Sequence, residues 1–561
     1  MTISNNLSTS SSIPTPLIQQ DTVDGSVDYE GRPVHRSISG GWRSASFITA
    51  VEVAERFAYY GISSNLITYL TGSLGQSTAA AAESVNTWSG VAALLPLLGG
   101  VVADFFLGRY LTIILASLVY ILSESASQGL GMLTLSAALT SLDAHDCKTT
   151  KTGTSCSPPW YHVILFFFSL YLVAIGQGGH KPCVQAFGAD QFDGKHPNES
   201  IAKSSFFNWW FFSLSAGIIV TLMVVVYIQE NLNWVLGFGI PCIVMLVGLL
   251  VLLLGSRTYR NWRNTSFRIA AEEEAYLVDQ SSERFKFLNK SLQASDGSVG
   301  DQEACFVSDV EGKKALLRLI PIWTTSLVYT IVYAQTTTFF TKQGVTMDRK
   351  IFQGFQIPAA SIQSFIGLAI VIFIPIYDRI LVPLVRLLTR SPSGITMLQR
   401  IGAGMSISAL SMVTAALVEQ KRLEIAKEHG MIDLPDAVIP MSIWWLVPQY
   451  VLCGVADVFT LIGLQEFFYD QFPDGLRSVG LSVYLSVIGV GSFLSSFLVS
   501  VIDRATARGV QESWFSSNLN RAHLDYFYWL LAGLSAVGFF AFLIFARSYI
   551  YQKANRSQMS Y

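Results

Sequence analysis

The chain has 561 residues, of which 51% are hydrophobic and only 14% charged, about half the charged share of a soluble globular domain. Net charge is −2, from 37 Lys+Arg against 39 Asp+Glu, so no basic excess argues for a nucleic-acid partner. An aromatic share of 12% and abundant aliphatics exclude a disordered, collagen-like or coiled-coil chain. The apolar residues fall in long blocks, which is the pattern of an all-α membrane protein in a lipid bilayer.

Residues 1–44 are polar and Ser-rich, show no cleavable signal pattern, and are expected to be a disordered cytosolic tail. A crossing helix needs roughly 20 mostly apolar residues. Six spans are expected at 45–71, 86–107, 110–137, 161–187, 205–228 and 233–255, within a first bundle over 45–255. A polar segment, 256–314, reads as a cytosolic linker. Six more spans are expected at 315–340, 357–383, 395–418, 442–469, 477–502 and 525–549, within a second bundle over 315–550, followed by a cytosolic tail, 551–561. Twelve helices in two six-helix halves suit a duplicated transporter bundle. An even span count puts both ends on one side, and the slight excess of Lys and Arg there makes that side cytosolic. Cys147 and Cys156 then share an outer loop, where either a disulfide or two free thiols fits. No Cys or His spacing suggests a metal site, and no cofactor is expected.

Charges inside spans are costly and tend to face a cavity or a partner, so they carry the functional argument. On a helix Glu52, Glu55 and Arg56 share one face, being at i, i+3 and i+4. Two carboxylates against one guanidinium leave one poorly compensated and able to exchange a proton. A structural salt bridge near a helix end is the plainer alternative. Lys181, near the end of the fourth span in Gly176-Gln-Gly-Gly-His-Lys-Pro182, is expected to compete with Arg56 for these carboxylates, or else to snorkel to the interface. His180 reads as a hydrogen-bonded packing residue. Tyr59 and Tyr60 follow the cluster, and with Tyr333, Gln335 and Glu466 they are expected to contact the solute. Asp104 and Arg109, flanking a Gly-rich turn between the second and third spans, read as a cytosolic latch rather than as a plain turn with solvated charges.

The Gly-x-x-x-Asp-x-x-x-Gly-Arg turn at 100–109 resembles the cytosolic signature of the major facilitator superfamily. The run Glu52-x-x-Glu55-Arg56-Phe57-x-Tyr59-Tyr60, the turn at 103–113, Phe206-Phe-Asn-Trp-Trp210 and Gln465-Glu466-Phe467-Phe468 resemble the proton-coupled oligopeptide transporter family, most of all its plant nitrate/peptide branch. The likeness runs from about residue 29 to 550. It implies alternating access and symport of a small solute, nitrate or a di- or tripeptide, driven by a proton gradient. It also implies proton coupling at Glu52, Glu55, Arg56 and Lys181 and solute contact at Glu466. One departure is that nitrate members carry a His in the seventh span where Tyr333 stands here, and a Tyr supplies no positive charge. Thr112 matches a phosphorylated Thr of a nitrate-transporting relative, although a helix-start Thr that serves backbone groups is the preferred reading.

Rival classes fit less well. A channel would line one pore with rings of charge, and an enzyme would show a catalytic order or phosphate loop that is missing here. A transporter of a larger organic anion or hormone, or a transceptor with little flux, shares the same scaffold. The plasma membrane is expected, with the vacuolar membrane as the alternative, and a homodimer is compatible with the sequence.

Overall fold

In hydrocarbon a backbone must satisfy its own polar groups, so each apolar block folds as a helix. A computed structural model of the chain describes residues 22–121, 133–139, 159–193, 196–262, 319–352, 355–389, 395–435, 437–471, 477–507 and 513–549. The helices are α1 Gly41–Ser63, α2 Leu66–Gly72, α3 Thr78–Val102, α4 Arg109–Ile121, α5 Trp160–Ala189, α6 Pro197–Asn231 and α7 Trp234–Leu254. After the linker come α8 over residues 319–333, then α9 Phe339–Val345, α10 Ser364–Ile376, α11 Val382–Thr389, α12 Met397–Glu428, α13 Val447–Gln471, α14 Arg477–Thr506 and α15 Leu524–Ser548. By length and composition, nine helical segments among the described residues can cross a membrane.

The first and seventh spans are each split. The first breaks at Ser64-Asn65 between α1 and α2, and the seventh passes through a 3-10 turn, Ala334–Thr336, into α9. The ninth span was expected to stop at 418, before Glu419-Gln-Lys-Arg422, but α12 runs on to Glu428. Glu419 and Arg422 are fully buried and pair with each other, with Arg422 Nη2 2.5 Å from Glu419 Oε1. Paired charges can stay inside where single ones cannot, which a hydropathy window does not register.

Contacts divide the chain into two compact units. One is drawn from Met1–Ala50, Gln185–Trp210 and Leu250–Asp296. Here the expectation of a tail without structure is corrected, because Thr22–Val27 pairs antiparallel with Pro33–His35 and with Asn261–Trp262. The strands are held from beneath by Arg260, which is 2% exposed. Its Nε donates to the Ser39 carbonyl at 2.9 Å and its Nη1 to Glu199 at 2.6 Å. Gly40, at φ +84°, has the guanidinium where a Cβ would stand. Burial pushes the Glu199 carboxyl up, but hydrogen bonds from Arg260 and the Asp193 amide, with the nearby arginine charges, outweigh it and hold it below its ordinary value.

The second unit comprises Val51–Val184, Phe211–Leu249 and Gly297–Tyr561. In it α3 packs on α14, and α12 packs between α13 and α15. Without a hydrophobic drive between helices in lipid, close approach rests on small residues. Gly404 of α12 illustrates this, since a Cβ there would lie 2.7 Å from the Thr460 backbone nitrogen and 2.8 Å from Phe459 Cβ. Gly404→Ala is expected to cost about 1–3 kcal/mol by overpacking, read as a lower melting temperature of the purified protein. Gly533→Ala, with nothing within 4 Å of the added carbon, is expected to be silent.

Candidate functional site

The charged face anticipated on the first span exists as a single contact group. Arg56 Nε lies 2.9 Å from Glu52 Oε1 and 3.1 Å from Glu55 Oε2. Glu55 is fully buried, and Glu52 and Arg56 are 3% and 8% exposed. Tyr120 of α4 donates its hydroxyl to Glu55 Oε1 at 3.4 Å. Among the described residues Glu52 Oε2 accepts no hydrogen bond, and Glu55 Oε2 has the Arg56 ion contact without a well-aligned hydrogen bond. One guanidinium therefore serves two carboxylates that have few other partners, an arrangement that is costly in a low dielectric.

Glycines in the Gly176-Gln-Gly-Gly run of α5 let the neighbours close on this group. A Cβ at Gly176 would lie 2.7 Å from the Tyr120 ring, at Gly178 2.7 Å from Leu95 Cβ, and at Gly179 2.9 Å from Ala116 Cβ. One turn on, His180 Nε2 meets Ser117 Oγ at 2.7 Å, and Ser117 donates to the Ile113 carbonyl, which leaves the ring nitrogen as donor. This is a packing histidine, as the sequence suggests. Lys181 is within electrostatic reach of Arg56, Glu55 and Glu52 but makes no ion pair among the described residues. Arg56 holds the direct contacts with both carboxylates, and Lys181 stands within reach of the same pair.

The solute-contact candidates separate into two groups. Tyr59 stacks on Trp88, with ring centroids 5.4 Å apart, and meets Tyr60 edge-on. Tyr60, Tyr333 and Tyr484 lie within electrostatic reach of Asp457. Asp457, in the middle of α13 and 5% exposed, accepts the Tyr329 hydroxyl. The sequence reading passed over Asp457, although a lone Asp in the apolar run 451–462 was the available signal. Gln335 and Glu466 stand elsewhere. Gln335 is fully buried, with its amide donating to the Ile331 carbonyl at 2.7 Å and to Ser495 Oγ at 3.0 Å. Glu466 lies about 13 Å along α13 from Asp457, at 1.5 Å per residue. Its side chain is 48% exposed and pairs with Arg400 Nη1 at 3.1 Å. Arg400 stands on the neighbouring α12.

At the end assigned as outer, hydrogen bonds join helices before the linker to helices after it. Asn86 donates to Ser495 Oγ at 3.0 Å, Arg349 pairs with Glu230 at 2.6 Å, and Gln363 donates to the Ser64 carbonyl at 2.8 Å. Gly90 and Gly489 let α3 and α14 close there, because a Cβ on either would lie 3.1–3.2 Å from the other's carbonyl oxygen. At the opposite end Thr112 is 5% exposed and its hydroxyl donates to the Gly108 carbonyl at 2.8 Å, the backbone role preferred for it. The side chain of Asp104 lies outside the described residues, as do Cys147 and Cys156.

Helices of this length around a buried ion cluster define a multi-pass transport protein, and the comparisons give its family. The PTR2 profile, described as the POT family, matches residues 110–515. Protein NRT1/ PTR FAMILY 5.10 of Arabidopsis thaliana is 58% identical over 556 residues, covering 95% of this chain and 97% of that one. Protein NRT1/ PTR FAMILY 5.16 of the same plant is 56% identical over 561 residues, covering 96% and 98%. The chain belongs to the POT family of transporters. Its fold is that of an auto-inhibited POT family peptide transporter, with TM-score 0.67 at 21% identity over 92% of this chain and 98% of that one. A POT family transporter in complex with 5-aminolevulinic acid superposes with TM-score 0.63 at 16% identity, over 91% and 99%.

Asp457→Asn is expected to lower solute uptake about tenfold, as loss of a buried charged hydrogen-bonding group does, with protein retained at the cell surface. Glu466→Gln, where the partner Arg400 keeps its bond to the Val458 carbonyl, should lower it far less. Matched uptake and surface-labelling assays measure both.

Proposed function

We propose that this chain is a proton-coupled symporter of a small nitrogenous solute, nitrate or a di- or tripeptide, working by alternating access at the plasma membrane. The observation that carries the reading is the surplus carboxylate around Arg56. With Glu55 ionised, the guanidinium is held by two anions. A proton on Glu55 removes one of them, and Arg56, with Lys181 near it, then presents positive charge to the carboxylate or oxyanion of a solute. Each binding event favours the other, and the linkage is reciprocal. Asp457, among Tyr60, Tyr333 and Tyr484, offers a carboxyl group to the amine of a peptide. The bonds at the end assigned as outer would have to part for solute to enter from that side. Relatives of the fold captured with sulfate, alafosfalin or 5-aminolevulinic acid are consistent with a small charged cargo. A larger organic anion or hormone is the second reading, favoured by Tyr333 in the place where nitrate members carry His.

Glu55→Gln mimics the protonated carboxyl permanently. In oocytes it should abolish the rise of uptake with external acidity while leaving protein at the surface. Retention of the wild-type pH dependence would refute proton coupling at this residue. Nitrate and a dipeptide applied to the same wild-type cell at acidic pH separate the solute classes by which one evokes inward current. Silence to both moves the assignment to the larger anion.

A further inference from the structure

The cations near the outer end are mostly matched. Arg349 pairs with Glu230, and Arg422 with Glu419. Lys342 differs. It stands on α9, half-buried, and its ammonium donates to Thr71 Oγ1 of α2 at 2.9 Å. Thr71 sends its own proton to the Ile67 carbonyl at 2.9 Å, so it serves Lys342 only as a neutral acceptor. Lys342 stands where α9 packs on α2 and the turns Ala334–Thr336, Ala359–Gln363 and Ile443–Leu446, and these four contain no Asp or Glu. The next residue, Gln343, meets the Glu419 carboxylate of α12, which is already paired with Arg422. Among the described residues no carboxylate pairs with Lys342, and burial is the only influence on its charge. An ammonium has three donors, and among the described residues one of them is taken up, by Thr71.

A desolvated cation without a counter-charge is expensive, and such a residue in a transport protein is by default a functional one. Its single bond also crosses between a helix before the linker and one after it, so it must break when the outer end opens. We propose that Lys342 is an outer capture site for an oxyanion group, occupied when the outer end opens and vacated as it closes. Opening releases the ammonium from Thr71 into water with all three donors available and no carboxylate competing for them. A solute oxyanion, either nitrate or the carboxylate terminus of a peptide, then meets a charge-assisted hydrogen-bond donor before it reaches the Arg56 group. Closing returns one donor to Thr71 and lowers the local dielectric, which favours passing the anion inward. The inference rests on the reading that the solute carries an oxyanion.

The test uses the full-length protein in nanodiscs in chloride-free buffer, with nitrate and dialanine titrated by calorimetry into wild type, Lys342→Gln and Lys342→Arg. Gln is expected to weaken binding of at least one of them about tenfold, and Arg to restore it. If the peptide carboxylate is the captured group, dialanine amide should bind Gln and wild type alike, whereas a nitrate-only effect assigns the inorganic anion. Unchanged affinity of Gln for both probes, equal losses in Gln and Arg, or no binding to wild type would overturn the proposal. In proteoliposomes Gln should raise KM for solute applied at the outer face and leave the inner-face KM unchanged, and an equal shift at both faces would also overturn it. Calorimetry needs no transport. A wild-type protein that binds solute but moves none would refute the symporter reading and leave the capture site standing.

Discussion

One guanidinium shared by two carboxylates sets the terms for the rest of this molecule. Arg56 touches Glu52 and Glu55 at 2.9 and 3.1 Å inside a helix that must cross lipid. Three charges so placed are tolerable only if the surroundings keep them together and keep water limited. Tyr120 gives Glu55 one hydrogen bond and α5 closes the side. The group is held together as a unit, and the proposed coupling asks of it only the gain or loss of a single proton.

What brings the walls in is the absence of side chains. The Gly176-Gln-Gly-Gly run puts α5 against Tyr120, Leu95 and Ala116 at distances no Cβ would allow. Gly90 and Gly489 do the same for α3 and α14 at the outer end. Polar groups then fasten what the glycines let approach, such as Asn86 on Ser495 and Gln335 on the same serine. A hydrogen bond of this kind across a helix interface in lipid is worth about 1 kcal/mol, small enough to be broken in each cycle and, in number, large enough to hold a closed state.

Local chemistry was legible in the sequence, and depth and partnership were not. The shared face of Glu52, Glu55 and Arg56 followed from helical spacing alone, and the bonded state of His180 and Thr112 followed from their residue types. The pairing of Glu466 is not legible in the sequence, because Arg400, distant along the chain, is brought beside it only by the fold. Asp457 was overlooked because the motif nine residues away was more conspicuous. The hydrogen bonds of the Gln335 amide to Ile331 and Ser495 likewise join positions that the sequence does not bring together. The early end assigned to α12 and the featureless tail assigned before α1 share one cause. In both, a charged group is held by a partner far along the chain, Arg422 by Asn520 beside its own Glu419 three residues away, and Glu199 by Arg260.

The overhang of α12 has a mechanical meaning. Arg422 binds Glu419, Thr346, Asn520 and the Leu519 carbonyl, and Asn520 in turn holds the Met431 and Leu434 carbonyls. Asn518 and Arg521 add bonds to Ile432 and Asp433. Two connections, 429–435 and 513–523, are thus riveted to one helix end. A surface assembled in this way keeps its shape while the helices beneath it tilt. It offers a fixed handle where a nanobody or a fluorophore would report the position of the whole end of the molecule without being distorted by the transport cycle.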